Sequence, residues 1–137
     1  MKSFALKIVT PDGLQFEGMA EKLVVRTAAG DVAILANHMD YVVSLGMGQA
    51  ILEAEGSRRY GACIGGMLSV LAGSVTLVPT TFEWADAIDV ERADRSEKLA
   101  RQVLAQPDAS DRDIRIAQAR LKRALIRKST AEHHFSK

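Results

Sequence analysis

Large apolar side chains alternate with small or polar ones in Phe4-Ala5-Leu6-Lys7-Ile8, the period of a half-buried strand. Thr10-Pro11-Asp12-Gly13 predicts a turn, because Pro11 presets φ and Gly13 tolerates positive φ. Leu23–Thr27, Val32–Leu35 and Tyr41–Leu45 are further predicted strands, separated by Ala29-Gly30 and Asn37-His38. Gln49–Glu55 and Arg58–Ile64 flank Gly56-Ser57 as a hairpin, and Met67–Leu71 and Val75–Val78 flank Ala72-Gly73-Ser74. Strands at about 8–12-residue spacing predict an antiparallel sandwich or a flattened barrel.

The period changes near residue 85. Asp89 is a good N-cap, with Ile88 and Ala93 at the positions of a hydrophobic staple and Glu91 in the first turn. Val90, Ala93, Ala100, Val103 and Leu104 fall near one thin stripe, which Glu97 interrupts. Pro107 and the polar run Asp108–Asp111 break the pattern. Ser110 then caps a second helix with Asp113 at N3, and Ile114, Ala117, Leu121 and Ala124 continue its stripe. Two helices with a short connection make an antiparallel hairpin. The fold class is therefore α+β: a β-sandwich or flattened barrel over 1–85, then a helical hairpin with a polar tail over 86–137.

Composition sharpens that boundary. All ten glycines lie between Gly13 and Gly73, and nine valines precede residue 85, whereas ten alanines fall in 85–137. Residues 1–84 carry 6 basic and 8 acidic side chains, and residues 85–137 carry 12 basic and 9 acidic. Alanine-lined faces bury little area at ~25 cal/mol per Å², so the hairpin is expected to be weakly self-stable and weakly docked.

The formal net charge of +1 argues against bulk electrostatic binding to nucleic acid or acidic lipid. No apolar run reaches the ~20 residues of a membrane span, and Lys7 stands where a signal peptide needs its apolar centre. A soluble protein of a reducing compartment is expected, without direct membrane insertion. Cys63, the single cysteine, reads as a buried, inert thiol. His133–His134 lack a carboxylate or thiol cluster at ligand spacing, so no metal site is expected.

Several motifs in order carry a family resemblance. They are Val9-Thr10-Pro11-Asp12-Gly13, Gly30-Asp31-Val32-Ala33-Ile34-Leu35-Ala36-Asn37-His38, Gly65-Gly66-Met67-Leu68 and Ile88-Asp89-Val90-Glu91-Arg92-Ala93. Over residues 4 to about 128 the chain resembles the epsilon subunit of F-type ATP synthases. Gly65-Gly66 looks like the family's turn into a strand. Ile88–Ala93 matches the Ile/Leu-Asp-x-x-Arg-Ala motif of ATP-binding epsilon chains. Ala33, Ala36 and Asp40 depart from the family's usual Gly, Pro and Pro.

The resemblance implies a non-catalytic rotor subunit on the cytoplasmic face of the cell membrane, held there by its partners. The sandwich would join the gamma subunit to the c-ring, with Asp31 and His38 in the loop that faces the ring. The hairpin would restrain ATP hydrolysis by extending toward the catalytic alpha and beta subunits. Its basic face there would be Arg115, Arg120, Lys122, Arg123, Arg127 and Lys128. No cofactor is required, but ATP is implied as a regulatory ligand of Glu83, Ile88, Asp89, Arg92, Ala93, Arg123 and Arg127. Arg123 and Arg127, at i and i+4, share a helix face and could grip phosphate oxygens. Leu99 replaces a further basic residue, so weak affinity is expected. Without a Gly-x-x-x-x-Gly-Lys-Ser/Thr loop, hydrolysis by this chain is not expected.

Each feature also has a plainer reading. Asp89 is explained as a cap, Arg123, Arg127 and Lys128 as partners of the helix dipole, Asp31 as a turn residue and His38 as a loop end. A module binding nucleic acid through its basic helix is the alternative function, opposed by the interleaved acids Asp111, Asp113 and Glu132. An enzyme using Cys63 and His38 lacks a third group to orient the imidazole.

Overall fold

In the computed structural model, residues 2–135 are described. The chain divides into two compact units, Met1–Trp84 and Ala85–Lys137.

The first unit is a β-sandwich of eight strands: β1 (Phe4–Thr10), β2 (Gly13–Ala20), β3 (Lys22–Thr27), β4 (Gly30–Ile34), β5 (Tyr41–Ser44), β6 (Met47–Ala54), β7 (Ser57–Leu71) and β8 (Ser74–Trp84). The strand order is β2-β1-β8-β7-β6-β3-β4, with β5 also pairing to β7. Every pairing is antiparallel except β1 with β8, which run parallel. Alternation delivers the core: Phe4, Leu6 and Ile8 point inward from β1, and Leu23 with Val25 do so from β3. They meet Ile34, Leu52, Leu68, Val70 and Leu77 in one apolar cluster.

Three sequence expectations are corrected. Arg58–Ile64 and Met67–Leu71 are a single strand, and Gly65-Gly66 lies inside it rather than turning into it. Those two glycines, at φ +69° and +103°, sit where the partner on one side of β7 changes from β6 to β5. Gly65 N–H donates to the Gly46 carbonyl there, and Leu45 N–H donates to the Gly66 carbonyl. The β6–β7 turn is Glu55-Gly56, both at positive φ, one residue earlier than expected and of the type that matches strand twist. The strand β2 was not predicted. It pairs with β1 along its whole length, and its Leu14 and Met19 face outward.

The second unit begins with a short 3-10 turn, Ala85–Ala87, that packs on the later helix. Helix α1 spans Val90–Leu104 and helix α2 spans Asp111–Phe135. Asp89 caps α1, its carboxylate accepting from the Arg92 N–H at 3.0 Å. Ser110 Oγ accepts from the Asp113 N–H at 3.1 Å at the start of α2. Among the described residues, the buried positions of the two helices are alanines at heptad spacing, Ala93 and Ala100 on α1 and Ala117, Ala124 and Ala131 on α2, together with Thr130, whose hydroxyl donates to the Ile126 carbonyl at 2.6 Å.

Candidate functional site

Candidate chemistry in the first unit lies on β4 and in the β4–β5 loop that follows it, residues 35–40. Its approach is set by β3 and β4, whose register places Arg26 opposite Asp31. Asp31 thus lies on β4 rather than in the loop with His38, and its carboxylate is held by Arg26 through Nε at 2.7 Å and a second nitrogen at 3.5 Å. Asn37 takes a left-handed φ of 66°, tolerable for Asn. His38 Nδ1 lies 2.8 Å from the Met39 carbonyl, and its ring tilts against Tyr41 at 5.8 Å. Asp40 is tied to the β7–β8 turn by accepting from the Ala72 N–H at 2.9 Å.

Around these polar groups stand side chains that the motif reading passed over. Leu35 and Met39 in the loop, Val42 on β5 and Leu71 beside the bound turn are all exposed, Met39 by 76%. Their signal in the sequence was the run of apolar residues beside Asn37-His38, where a solvated loop would be polar.

Cys63 is buried on β7, opposite Gly48 and Phe82. Burial pushes its thiol up to about 12, so the nucleophilic thiolate is absent at neutral pH. His38 is engaged with Met39 and Tyr41 instead, and a Cys–His catalytic pair is not assembled.

The nucleotide candidates fall in both units. Glu83 is a half-buried residue of β8 opposite Ala62. Ile88 and Ala93 are buried, as staple positions require, and Arg92 is exposed in the first turn of α1. The Asp89 carboxylate is occupied by the Arg92 amide. Arg123 and Arg127 are half-buried along α2. A shallow recess of about 290 Å³ opens at the loop end of the hairpin, between Ala100, Val103, Gln106, Asp113, Ala117 and Arg120. It contains none of the nucleotide candidates.

The basic residues of α2 divide. Arg115, Arg120 and Lys122 are exposed, whereas Lys128 reaches across to α1. Lys128 Nζ lies 2.7 Å from Glu97 Oε1 and 3.0 Å from Asp94 Oδ1. The second oxygen of Glu97 meets Arg101 Nε at 2.9 Å, and that of Asp94 meets Lys98 Nζ at 3.0 Å. Glu97, which interrupts the apolar stripe in the sequence, is thus a cross-helix contact with its side chain only 15% exposed.

These pairs fix the direction of each titration. Hydrogen bonds from Lys128, then Lys98, hold Asp94 below its ordinary value of 3.8. Lys128, then Arg101, hold Glu97 below 4.5. Glu97, then Asp94, hold Lys128 above 10.5. A lowered carboxylate stabilises the hairpin above its unfolded value and ceases to as pH falls through the folded one. A raised lysine stabilises below its unfolded value and ceases to as pH rises through the folded one. Helical circular dichroism is therefore expected to stay flat between about pH 5 and 9 and to decline only outside that window. A titration step near neutrality would contradict this assignment.

Among the described residues, no helix is long and apolar enough to cross a membrane.

Residues 3–85 match the family model described as the ATP synthase, Delta/Epsilon chain, beta-sandwich domain. The chain is 38% identical over 132 residues to an ATP synthase epsilon chain of Ruminococcus albus, covering 96% of this chain and 98% of that one. It is 37% identical over 131 residues to the ATP synthase epsilon chain of Bacillus pumilus, with the same coverage. In fold it is similar to a chain of the Euglena gracilis mitochondrial ATP synthase assembly of OSCP, F1 and c-ring. That match has a TM-score of 0.81 at 21% identity, over 93% of this chain and 80% of that one. A chain from the central stalk and c-ring of Tetrahymena thermophila mitochondrial ATP synthase matches with a TM-score of 0.67 at 9% identity, over 95% and 97%.

Proposed function

The chain belongs to the ATP synthase delta/epsilon chain family, and on that premise we propose that it is a non-catalytic central-stalk subunit that couples gamma to the c-ring and restrains ATP hydrolysis. The observation that supports this best is similarity through both units: relatives named epsilon chain align over 96% of this chain and 98% of their own length.

In this reading the sandwich docks on gamma and on the polar loops of the ring. Strand β4 brings Asp31, already oriented by Arg26, and the 35–40 loop brings His38. Exposed Leu35, Met39, Val42 and Leu71 add apolar area, worth ~25 cal/mol for each Å² removed from water. The subunit sits peripherally on the cytoplasmic face of the membrane, held by these partners.

The hairpin acts on the catalytic alpha and beta subunits. Arg115, Arg120, Lys122, Arg123 and Arg127 present positive charge for acidic segments there, and Lys128 joins them once released from Asp94 and Glu97. ATP binds weakly and favours the folded hairpin, with Arg123 and Arg127 on the phosphates and Ile88, Asp89, Arg92 and Ala93 at the other end. The loss of a cation at Leu99 keeps the affinity low.

The first test is co-purification with gamma and the c-ring. Truncation after Val90 in the assembled enzyme is then expected to raise ATP hydrolysis. Failure to co-purify would overturn the stalk assignment, and unchanged hydrolysis would remove the inhibitory role. Calorimetry is expected to show saturable heat with ATP that Arg123→Ala with Arg127→Ala abolishes. A folded protein giving no heat with ATP or ADP would end the nucleotide proposal alone.

A further inference from the structure

We infer that Lys128 is a charge clasp that holds the two helices of the second unit together, and that the hairpin opens when this lysine is screened or drawn away. The inference concerns the hairpin itself and stands whether or not the hairpin inhibits hydrolysis.

The first support is what the seam lacks. Among the described residues, the buried positions of its helices are Ala93, Ala100, Ala117, Ala124, Ala131 and Thr130, small side chains that remove little apolar area from water. Closure by apolar burial alone is therefore weak. The second is the geometry of the charges. Asp94 and Glu97, three residues apart on one face of α1, converge on one ammonium at 3.0 and 2.7 Å. A single cation thus fixes the rotation of α1 and its register against α2.

The third support is the way the carboxylates are held from behind. Lys98 grips the other oxygen of Asp94, and Arg101 grips the other oxygen of Glu97. Both are i, i+4 contacts within α1, so they survive separation of the helices. On opening, neither carboxylate is left without a counter-charge, and Lys128 passes into water. Both states are electrostatically satisfied, which keeps the difference between them small enough for a modest perturbation to shift. A buried pair broken on one side would instead block opening.

The test uses the full chain with spin labels on Leu99→Cys and Leu125→Cys, exposed positions one turn from the clasp. Buried Cys63 does not compete for label. Pulsed electron resonance is expected to give one short distance in the parent protein. In Lys128→Glu the distribution should shift several-fold toward longer separations, and adding Glu97→Lys should restore the short one. Exposed Arg112→Glu, the same charge change elsewhere on α2, should leave it in place. Raising salt to roughly 1 M, where the screening length is about 3 Å, should move the parent toward the open distribution. Lys128→Met serves as a milder variant should the reversal unfold the chain, and sheet circular dichroism reports that case. Distances unchanged in Lys128→Glu or Lys128→Met, or an equal opening in Arg112→Glu, would overturn the clasp.

Discussion

Gly66→Ala is expected to lower the melting temperature of the β-sandwich by roughly 10–25 °C, from a loss of about 2–5 kcal/mol. Gly66 holds φ at +103°, which costs a residue with a β-carbon about 1–2 kcal/mol. The larger difficulty is space. A β-carbon there would overlap the Val78 carbonyl oxygen and the Pro79 Cα. These are backbone atoms of the neighbouring strand, with Pro79 fully buried and in register opposite Gly66. No side chain can rotate to relieve the contact, so β8 itself must shift, and overpacking of this kind costs about 1–3 kcal/mol. Gly56→Ala is the internal comparison. Gly56 also has positive φ, at +75°, but nothing lies within 4 Å of the added carbon. That variant should lose only the conformational part, about 1 kcal/mol. Thermal melts followed through Trp84, which packs edge-on against Phe82 at 4.8 Å, would separate the two. Equal melting temperatures would show that the Gly66 contact with β8 carries no energetic weight.

The same glycine marks where local pattern stops predicting the fold. Gly65-Gly66 looks like a strand boundary, because adjacent glycines usually mark turns. In the structure they bend one 15-residue strand where its neighbour changes. That demand comes from β5, β6 and β8, elements distant in sequence. Strand β2 escaped for a related reason: Leu14 and Met19 face outward from it, so the alternation that betrays a half-buried strand is blurred. The caps were legible because Asp89 and Ser110 act on amides three residues away. Lys128 was not. The sequence grouped it with the other cations of a basic helix, and its pairing with Asp94 and Glu97 depends on the register between helices. Likewise Asp31 could be located from sequence, but its partner Arg26 follows from the β3–β4 ladder.

Ala124→Leu should open the hairpin while leaving the sandwich intact. Ala124 is 1% exposed in the seam. It lies one turn before Lys128 on α2, as Ala100 lies one turn beyond Glu97 on α1, so antiparallel register brings the two alanines level. Two methyl-bearing positions facing each other let the helix axes approach closely, and three added carbons do not fit at that distance. The axes must then part, which costs about 1–3 kcal/mol as overpacking. Parting the axes also lengthens the Lys128 contacts with Asp94 and Glu97, so the two losses arise together. Amide exchange is the appropriate measurement: protection should fall along α1 and α2 and stay unchanged in β1, β7 and β8. Retained protection in the helices would mean that the seam has slack the alanine spacing does not reveal. Exposed Leu99, changed to Ala, removes apolar surface from the outside of the same helix and should leave protection as it was. A defect specific to Ala124 therefore reads the closeness of the helices, which sets how firmly Lys128 can hold them.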